Sequence, residues 1–177
     1  SANGPLEIVK LLVAQGANVH ANNDNALRWS AYNGHLEIVK FLVTQGANIH
    51  ANDDAALRYS AENGQFEVVR FLATKGANIH AQGDYALRYS VRYGRLETVK
   101  FLVAQGANIH VNDDEIFKKA TQNENEPMLM LLNAFLTEEK LLVAASESTS
   151  ASTWVCGTSA SSCLCGMLQT KLLPITK

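Results

Sequence analysis

The sequence offers little of what metal binding or catalysis requires. Its only cysteines are Cys156, Cys163 and Cys165, all close to the C-terminus. Three thiols without a nearby histidine do not complete a four-ligand zinc site, and Cys163-Leu164-Cys165 lacks the Cys-x-x-Cys spacing of a redox pair. No base and orienting group stand in a recognisable order around a nucleophile. We therefore expect a protein that is not an enzyme and uses no cofactor or metal.

Strong charge of one sign and long apolar runs are also lacking. The formal net charge is -2, which gives no electrostatic reason to expect nucleic acid as a partner. No segment reaches about 18 uninterrupted apolar residues, so no membrane span is expected. The N-terminus lacks the basic and then apolar pattern of a signal peptide, which favours a cytoplasmic location. The 47% hydrophobic content is enough for the continuous core of one soluble domain.

One motif is present four times at a constant spacing. Gly-Ala-Asn-[Val/Ile]-His occupies residues 16–20, 46–50, 76–80 and 106–110, so its period is 30 residues. A fixed period of roughly 20 to 50 residues indicates a solenoid. Each unit of a solenoid buries its apolar face against the next unit, and the stack usually presents an extended surface to another macromolecule. The sequence therefore indicates binding.

Alignment of the repeats divides the chain into six segments. Three stretches of 30 residues align without a gap, and the residues before them match only the second half of a repeat. The residues after them begin like a repeat and then diverge, as expected of a terminal unit with one face in solvent. The Ser- and Thr-rich end cannot bury enough surface to fold alone. The predicted segments are a partial N-terminal repeat (1–20), three repeats (21–50, 51–80 and 81–110), a degenerate C-terminal capping repeat (111–145) and a Ser/Thr-rich tail (146–177).

Each repeat predicts two helices separated by a tight turn. The first helix is short and alanine-rich, and an aspartate at its start is expected to cap its backbone N–H groups. Glycines that adopt a left-handed backbone are expected to end both helices. The second helix carries a broad apolar stripe, and pairs of glutamate with lysine or arginine mark its solvated face. The aspartates are Asp24, Asp54, Asp84 and Asp114; the glycines are Gly34, Gly64 and Gly94 for the first helices and Gly46, Gly76 and Gly106 for the second.

This order of short helix, tight turn, apolar helix, Gly-Ala-Asn-Ile and polar loop resembles the ankyrin repeat. The stretch Asn-Gly-His-Leu-Glu-Ile-Val-Lys-Phe-Leu at residues 33–42 is similar to the second helix of that family, and the resemblance extends from residue 4 to about residue 136. It implies an all-α, ankyrin-like α-solenoid of stacked helix-turn-helix repeats that binds a protein partner on its concave face. The family's usual period is about 33 residues, so short loops are expected in place of long β-hairpins.

The compact repeats also resemble those of giant-virus ankyrin-repeat proteins, which would imply a partner in the host-cell cytoplasm. Two other functions stay open. A substrate-recruiting adaptor, similar to a ubiquitin-ligase subunit or a host-directed effector, would use the C-terminal region as a second docking element. An array that binds a small ligand or nucleotide should gain thermal stability with that ligand.

Positions that differ among the repeats are the candidate contact positions, because positions that serve the fold should repeat. Tyrosine and arginine are favoured anchors in binding surfaces, so Tyr85, Arg92 and Tyr93 form the preferred hot spot. Neutral drift on an exposed face is the alternative explanation. The aromatic column of the first helix, which consists of Trp29, Tyr59 and Tyr89, is also counted among the candidate contacts. Packing between repeats is the more common role of such a column. The candidate contacts are Asn25, Trp29, Tyr32, Asn33, Ala55, Tyr59, Glu62, Asn63, Tyr85, Tyr89, Arg92 and Tyr93.

Two columns of basic residues are interpreted as structural. Arg28, Arg58 and Arg88 are expected to bond loop carbonyls or a neighbouring repeat's aspartate through the planar guanidinium group. Equivalent atoms of stacked helix pairs lie about 10 Å apart, whereas zinc holds its ligand nitrogens at about 2 Å. No two histidines of the second column can therefore share an ion, and we expect them to scaffold the loops. These histidines are His20, His50, His80 and His110.

The two ends of the array give further expectations. Without its first helix, the partial N-terminal repeat should expose Leu6, Val9 and Leu12, which predicts either a covering element or self-association. Near the other end, Thr137 is expected to cap a short added helix. The tail holds the three cysteines as free thiols, and its last apolar stretch favours a groove or a second copy of the chain as its contact.

Overall fold

The computed structural model describes the backbone of residues 4–150 and the side chains of residues 5–110 and 116–141. Within this part of the chain every regular element is an α-helix and none is a strand, which confirms the all-α prediction. The predictions for the tail beyond residue 150, its three cysteines included, lie outside the described residues. The helices are α1 (Gly4–Ala14), α2 (Ala21–Tyr32), α3 (Leu36–Thr44), α4 (Ala51–Glu62), α5 (Phe66–Thr74), α6 (Ala81–Arg92), α7 (Leu96–Ala104), α8 (Val111–Gln122) and α9 (Glu126–Ser150).

The helices after α1 form consecutive pairs. In the three full repeats the first helices α2, α4 and α6 have 12 residues each, and the second helices α3, α5 and α7 have 9. Each first helix packs on its own second helix and, closely, on the first helix of the next pair, whereas successive second helices touch less extensively. The repeats therefore stack in chain order, as a solenoid requires.

A ladder of leucines forms the centre of the stack. One leucine from every helix of the three full repeats is at most 1% exposed. Full burial of such a side chain contributes about 1.5–3 kcal/mol. The ladder continues towards the C-terminus with Ile116, Met128 and Leu132, which makes the core continuous from one repeat to the next. The leucines are Leu27, Leu42, Leu57, Leu72, Leu87 and Leu102.

Glycine ends both helices of a repeat, as predicted. Gly34 follows α2 with φ 75°, and Gly46 follows α3 with φ 91°. These values lie in the left-handed region, where a residue without Cβ meets no steric penalty. After α3 the N–H of Ala47 bonds the Leu42 carbonyl at 3.0 Å, and that of Gly46 bonds the Val43 carbonyl at 3.1 Å, which is the Schellman arrangement. The same two bonds follow α5 and α7.

The predicted capping role of the aspartates is wrong. Asp54 has a left-handed backbone with φ 55°, and α4 begins without a side-chain capping bond. Its Oδ1 accepts instead from the N–H of Asn78, in the loop after the second helix of the same repeat, at 2.9 Å, and lies 2.9 Å from Nδ1 of His50 at the end of the preceding repeat. The carboxylate therefore joins the start of its repeat to the loops on either side, and the histidine scaffolds the loop as expected. The same bonds are made by Asp24 and Asp84, while the side chain of Asp114 lies outside the described residues.

The C-terminal helix is longer than the sequence suggests. α9 runs without interruption through Thr137, so this residue lies inside a helix and caps nothing. Its hydroxyl donates to the Ala134 carbonyl at 2.7 Å. The helix also includes residues 146–150, which the composition assigned to the tail. The repeats lie in the compact unit Ser1–Glu138, and the described part of the second unit, from Glu139, is the end of α9.

The exposed apolar face of α1 differs in part from the expectation. Leu6 and Val9 are half-buried against the core, because α1 packs on α3. Leu12 is exposed as predicted, and it is joined by Ile8 and Leu11, which the sequence reasoning did not name. The uncovered surface is therefore the side of α1 that carries these three residues.

Charged pairs cover the second helices, as predicted. Both partners of each pair are exposed, so each pair stabilises its helix by no more than a few tenths of a kcal/mol. The pairs mark a solvated face and form no site. They are Glu37 with Lys40 at 2.7 Å, Glu67 with Arg70, and Glu97 with Lys100 at 3.3 Å.

Candidate protein-binding surface

The predicted contact residues lie on the first helices or directly after them. Because α2, α4 and α6 are the helices that pack closely on one another, the contact columns of successive repeats stand side by side. Trp29 is 58% exposed, Tyr32 41% and Tyr93 47%, so large aromatic surface is open to a partner at both ends of this row. The other three aromatic residues of the row are half-buried. We call the six residues the aromatic strip: Trp29, Tyr32, Tyr59, Tyr85, Tyr89 and Tyr93.

Ala55 is not a contact residue, contrary to the prediction. It belongs to α4 and has no accessible surface, so a partner cannot touch it. Its column, which includes Asn25 and Tyr85, lies inside the first helices and not in the turn before them. Differences in this column therefore change the packing at the seam, by which we mean the place where two consecutive repeats meet.

Asn33 and Asn63 hold the ends of the first helices. The side-chain amide of Asn33 donates to the Trp29 carbonyl at 2.8 Å, and that of Asn63 donates to the Tyr59 carbonyl at 2.9 Å. The same carbonyls also accept the backbone N–H groups of Asn33 and Asn63 at 3.1 Å, so each asparagine closes the end of its helix with two bonds. In the third repeat the same position carries the exposed Tyr93, so this column serves the fold in two repeats and presents an aromatic ring in the third.

The arginine column holds the left-handed start of each first helix. Arg58 is 6% exposed. Its Nε donates to the Asp53 carbonyl at 2.8 Å, and a terminal guanidinium N–H donates to the Asn52 carbonyl at 2.8 Å. Arg88 makes the same pair of bonds in the third repeat, and Arg28 makes one of them in the first. The expectation that these arginines bond loop carbonyls is confirmed.

Tyr85 fills the second seam, where repeats 51–80 and 81–110 meet. Its ring stacks on Tyr89 with centroids 3.9 Å apart and 10° between the planes. The Arg58 guanidinium lies 5.0 Å from the Tyr85 ring centroid, and the Tyr85 hydroxyl donates to Oε2 of Glu62 at 3.0 Å. Burial, followed by the hydrogen bond to the Glu62 carboxylate, raises the pKa of Tyr85 well above its usual value. One member of the predicted hot spot is therefore a neutral phenol bound within the fold.

The first seam, where repeats 21–50 and 51–80 meet, contains an open cleft. Its volume is about 330 Å³, at the lower end of the range for ligand pockets. Trp29 and Tyr32 meet edge to face beside it, with centroids 5.5 Å apart. Nε of Arg28 is buried without a hydrogen-bond partner among the described residues. The cleft is lined by Asn25, Arg28, Trp29, Tyr32, Tyr59 and Glu62.

The third seam, where repeat 81–110 meets α8, presents basic side chains. A cavity of only about 40 Å³ lies between Arg88, Arg92 and Lys119. The Arg92 guanidinium lies 5.6 Å from the Tyr89 ring centroid and 5.7 Å from that of Tyr93. Arg92 and Tyr93 of the predicted hot spot are therefore neighbours in an exposed cluster, separate from the position of Tyr85 in the second seam.

Sequence reasoning missed one column that bridges the seams. Nε2 of Gln65 donates to the Tyr32 carbonyl at 3.5 Å, and Nε of Arg95 donates to the Glu62 carbonyl at 3.2 Å. The column of His35, Gln65 and Arg95 differs among the repeats just as the contact columns do, so the same comparison could have found it. The cleft was missed as well, although the small side chain of Ala55 between two larger neighbours in its column was a signal.

The described residues contain neither a membrane-spanning helix nor a cluster of metal ligands. Each described helix is too short or too polar to cross a bilayer. Among the same residues, no three His, Cys, Asp or Glu side chains lie close enough together to hold a metal ion. His20, His50 and His80 each lie beside the aspartate four residues further along the chain.

A family model described as ankyrin repeats, in three copies, matches the chain at residues 1–53 and 51–113. The two matches together cover residues 1–113 of 177, which is more than half of the chain. They include the whole aromatic strip and the first two seams. Comparison with curated proteins finds no match.

Proposed function

The chain belongs to the ankyrin-repeat family, and we propose that it is a protein-binding module that contacts its partner along the aromatic strip. Ankyrin repeats are generally protein–protein interaction modules and are typically not enzymes. Family membership alone does not identify the contact residues, because function depends on the site and not on the fold. The observation that carries the proposal is the exposure of Trp29 and Tyr32 on α2 and of Tyr93 directly after α6, at the two ends of the row of first helices.

Large aromatic side chains give the strip its binding capacity. Tyr, Trp and Arg are the residue types most often found among the few residues that supply most of a binding energy. Several of these side chains are already fixed by contacts within the fold, such as the stacking of Tyr85 on Tyr89 and the position of Arg92 beside Tyr93. Side chains held in place before binding lose little conformational entropy when a partner docks.

The packing of the helices supports a concave binding face. Successive first helices lie closely against one another, whereas successive second helices touch less extensively. A stack that is tighter on one side bends towards that side. The first helices and their aromatic strip are therefore proposed to line the inner face of the curve, where a partner gains contacts with several repeats at once.

The proposed partner is a protein of the cytoplasm, as the sequence indicates. An adaptor function requires a second docking element in the C-terminal region, most of which lies outside the described residues. A small-ligand array requires a site whose chemistry selects that ligand, and no observation on the described residues favours one over protein binding. A rise in melting temperature with a nucleotide such as ATP would favour the small-ligand function instead.

A capture experiment with three purified forms of the chain tests the proposal. The strip variant carries Trp29→Ala, Tyr32→Ala and Tyr93→Ala, and the control carries Glu67→Ala and Arg70→Ala on a second helix. All five side chains are exposed or half-exposed, so both variants are expected to keep the circular dichroism of the wild type. Titration with the captured and purified protein should give at least about a 10-fold rise in Kd for the strip variant alone. An unchanged Kd for the strip variant contradicts the proposal.

A further inference from the structure

Tyr85 shows how a seam between two repeats accepts an aromatic ring. The ring contacts Arg58 and Glu62 of the preceding repeat and Tyr89 of its own. A ring held between a guanidinium group and a second ring gains both a cation–π contact and a stacking contact. The second seam is therefore an internal example of aromatic binding on this scaffold.

The first seam has equivalent walls without the ring. Thirty residues before Arg58, Glu62 and Tyr89 stand Arg28, Tyr32 and Tyr59, and all three of these residues line the cleft. The residue equivalent to Tyr85 is Ala55, whose side chain ends at Cβ. The cleft of about 330 Å³ therefore lies among the three residues equivalent to those that hold the Tyr85 ring, while Ala55 itself is buried and does not line it.

The walls of the cleft favour an aromatic side chain over other occupants. Tyr59 offers a ring in the position from which Tyr89 stacks on Tyr85, and Trp29 and Tyr32 add two more rings. The positive charge of Arg28 disfavours an ammonium group, and the Glu62 carboxylate already accepts a hydrogen bond from Tyr85. An aliphatic side chain would fill space but would gain neither stacking nor a cation–π contact.

We infer that this cleft receives an exposed aromatic side chain of the protein partner, stacked on Tyr59 beside Arg28 as Tyr85 is stacked on Tyr89 beside Arg58. The inference rests on the proposed function, because it takes the ring from a protein partner. It narrows the partner to proteins that project a Tyr, Phe or Trp side chain. A partner ring that enters the cleft would be shielded from water on several sides, as binding hot spots usually are.

N-acetyl-L-tyrosinamide is a probe that isolates this contact from the rest of an interface. The indole N–H resonance of Trp29 in a nitrogen–proton correlation spectrum reports occupation of the cleft, and Trp29→Phe distinguishes it from the resonance of Trp154. We expect saturable shifts with a dissociation constant in the millimolar range. N-acetyl-L-leucinamide, which has no ring, should bind about 10-fold more weakly or not at all.

Two substitutions test where the probe binds. Ala55→Tyr places a ring in the cleft from within the chain and should abolish probe binding. Tyr59→Leu removes the stacking surface and should weaken binding of the probe about 10-fold. If Ala55→Tyr does not fold, Tyr59→Leu is the test. Tyr93→Leu removes an aromatic side chain outside the cleft and is the matched control, with affinity expected to stay within about twofold of the wild type.

The outcomes separate this inference from the proposed function. Equal affinity for the tyrosine and leucine amides, tighter binding of tetramethylammonium than of the tyrosine amide, or wild-type probe affinity in Tyr59→Leu overturns the inference. A captured partner that binds Tyr59→Leu as well as wild type also overturns it, while the effect of the strip variant still supports the proposed function. Probe binding as expected, together with a partner that ignores the strip variant, overturns the proposed function and this inference with it.

Discussion

Single residues join the start of a repeat to the loops on either side of it through a shared carboxylate oxygen. Oδ1 of Asp54 lies 2.9 Å from both the backbone nitrogen of Asn78 and Nδ1 of His50, and Asp54 is only 5% exposed. A carboxylate so deeply placed is stable only when its oxygens have partners. Because Asn78 is 24 residues further along the chain, its bond with Asp54 joins the start of the repeat to the loop that follows the second helix of the same repeat.

Removal of this carboxylate should lower the stability of the folded chain. Asp54→Ala leaves the Asn78 N–H without its partner, so we expect a loss of about 1–3 kcal/mol in the free energy of unfolding, measured by urea denaturation. Asp53→Ala is the matched control, because Asp53 has the same φ of 55° but an exposed carboxylate. Both variants carry the strain of alanine in the left-handed region, and Asp53→Ala loses only an exposed bond from Gln82, so the difference between them reports the buried bonds of Asp54. Equal losses would contradict the assignment.

The raised pKa of Tyr85 gives a second test at this scale. Burial and the Glu62 carboxylate both disfavour the phenolate, so Tyr85 should stay protonated where ordinary tyrosines ionise. Between about pH 9 and pH 11, ultraviolet titration of wild type and Tyr85→Phe should show the same number of phenolates formed. Because the folded pKa lies above the unfolded value, the stabilising contribution of Tyr85 is complete at neutral pH and declines as pH rises above about 10.

The first helix of each full repeat begins with a left-handed stretch of backbone. In all three full repeats, three consecutive residues at this point have φ between 52° and 64°, and the right-handed helix follows them. Asn and Asp tolerate this conformation better than other residues with a side chain, and Gly tolerates it best. The carbonyls of the first two positions accept the hydrogen bonds of Arg58 and Arg88 in their repeats. The arginine therefore stabilises a segment that is strained on its own.

Substitution of Gly83 tests the strain of this segment. Gly83 has φ 64°, and a Cβ at this position would meet no atom within 4 Å, so only backbone conformation is affected. Gly83→Ala should lower the free energy of unfolding by about 1–2 kcal/mol. Gly83→Asn should cost clearly less, because Asn23 occupies the equivalent position of the first repeat with φ 55°. Equal costs for the two variants would show that the segment is not strained.

Helices and their ends could be predicted from the sequence because their signals are local. The leucine ladder follows the period of the repeat, and Gly34 and Gly46 end their helices where a left-handed backbone is required. The aspartate bonds could not be predicted in this way, because Asn78, the backbone partner of Asp54, lies 24 residues further along the chain. Thr137 was misassigned for a related reason: its local sequence permits a cap, but the helix continues through it.

The candidate surface was predicted only in part, because difference among repeats does not always mean exposure. Tyr32 and Tyr93 differ from their equivalents in the other repeats, and Trp29 belongs to the aromatic column. All three are exposed. Ala55 also differs from its equivalents but is completely buried. Tyr85 fills the second seam whereas the first seam is open, and the repeat alignment alone does not show this.

The whole array has one side that its own repeats leave uncovered. Within the unit Ser1–Glu138, Ile8 is 61% exposed, Leu11 58% and Leu12 51%, all on α1. A contiguous apolar patch of this kind favours contact with another surface. We therefore expect the chain to self-associate at high concentration through α1.

Sedimentation velocity at increasing protein concentration checks this expectation. Ile8→Glu with Leu11→Glu should keep the chain monomeric, because charged side chains are costly to bury without partners. Met130→Glu is the control, since Met130 is 70% exposed on α9 and is not part of the α1 patch. A wild-type chain that stays monomeric at all concentrations would rule out association through α1.

Amide hydrogen exchange of the free chain and of its complex with the captured partner tests the central claim most directly. If the partner docks along the aromatic strip, exchange should slow in α2, α4 and α6 and in the turns that follow them, and should stay unchanged in α3, α5 and α7. Slower exchange confined to α3, α5 and α7 would contradict the account.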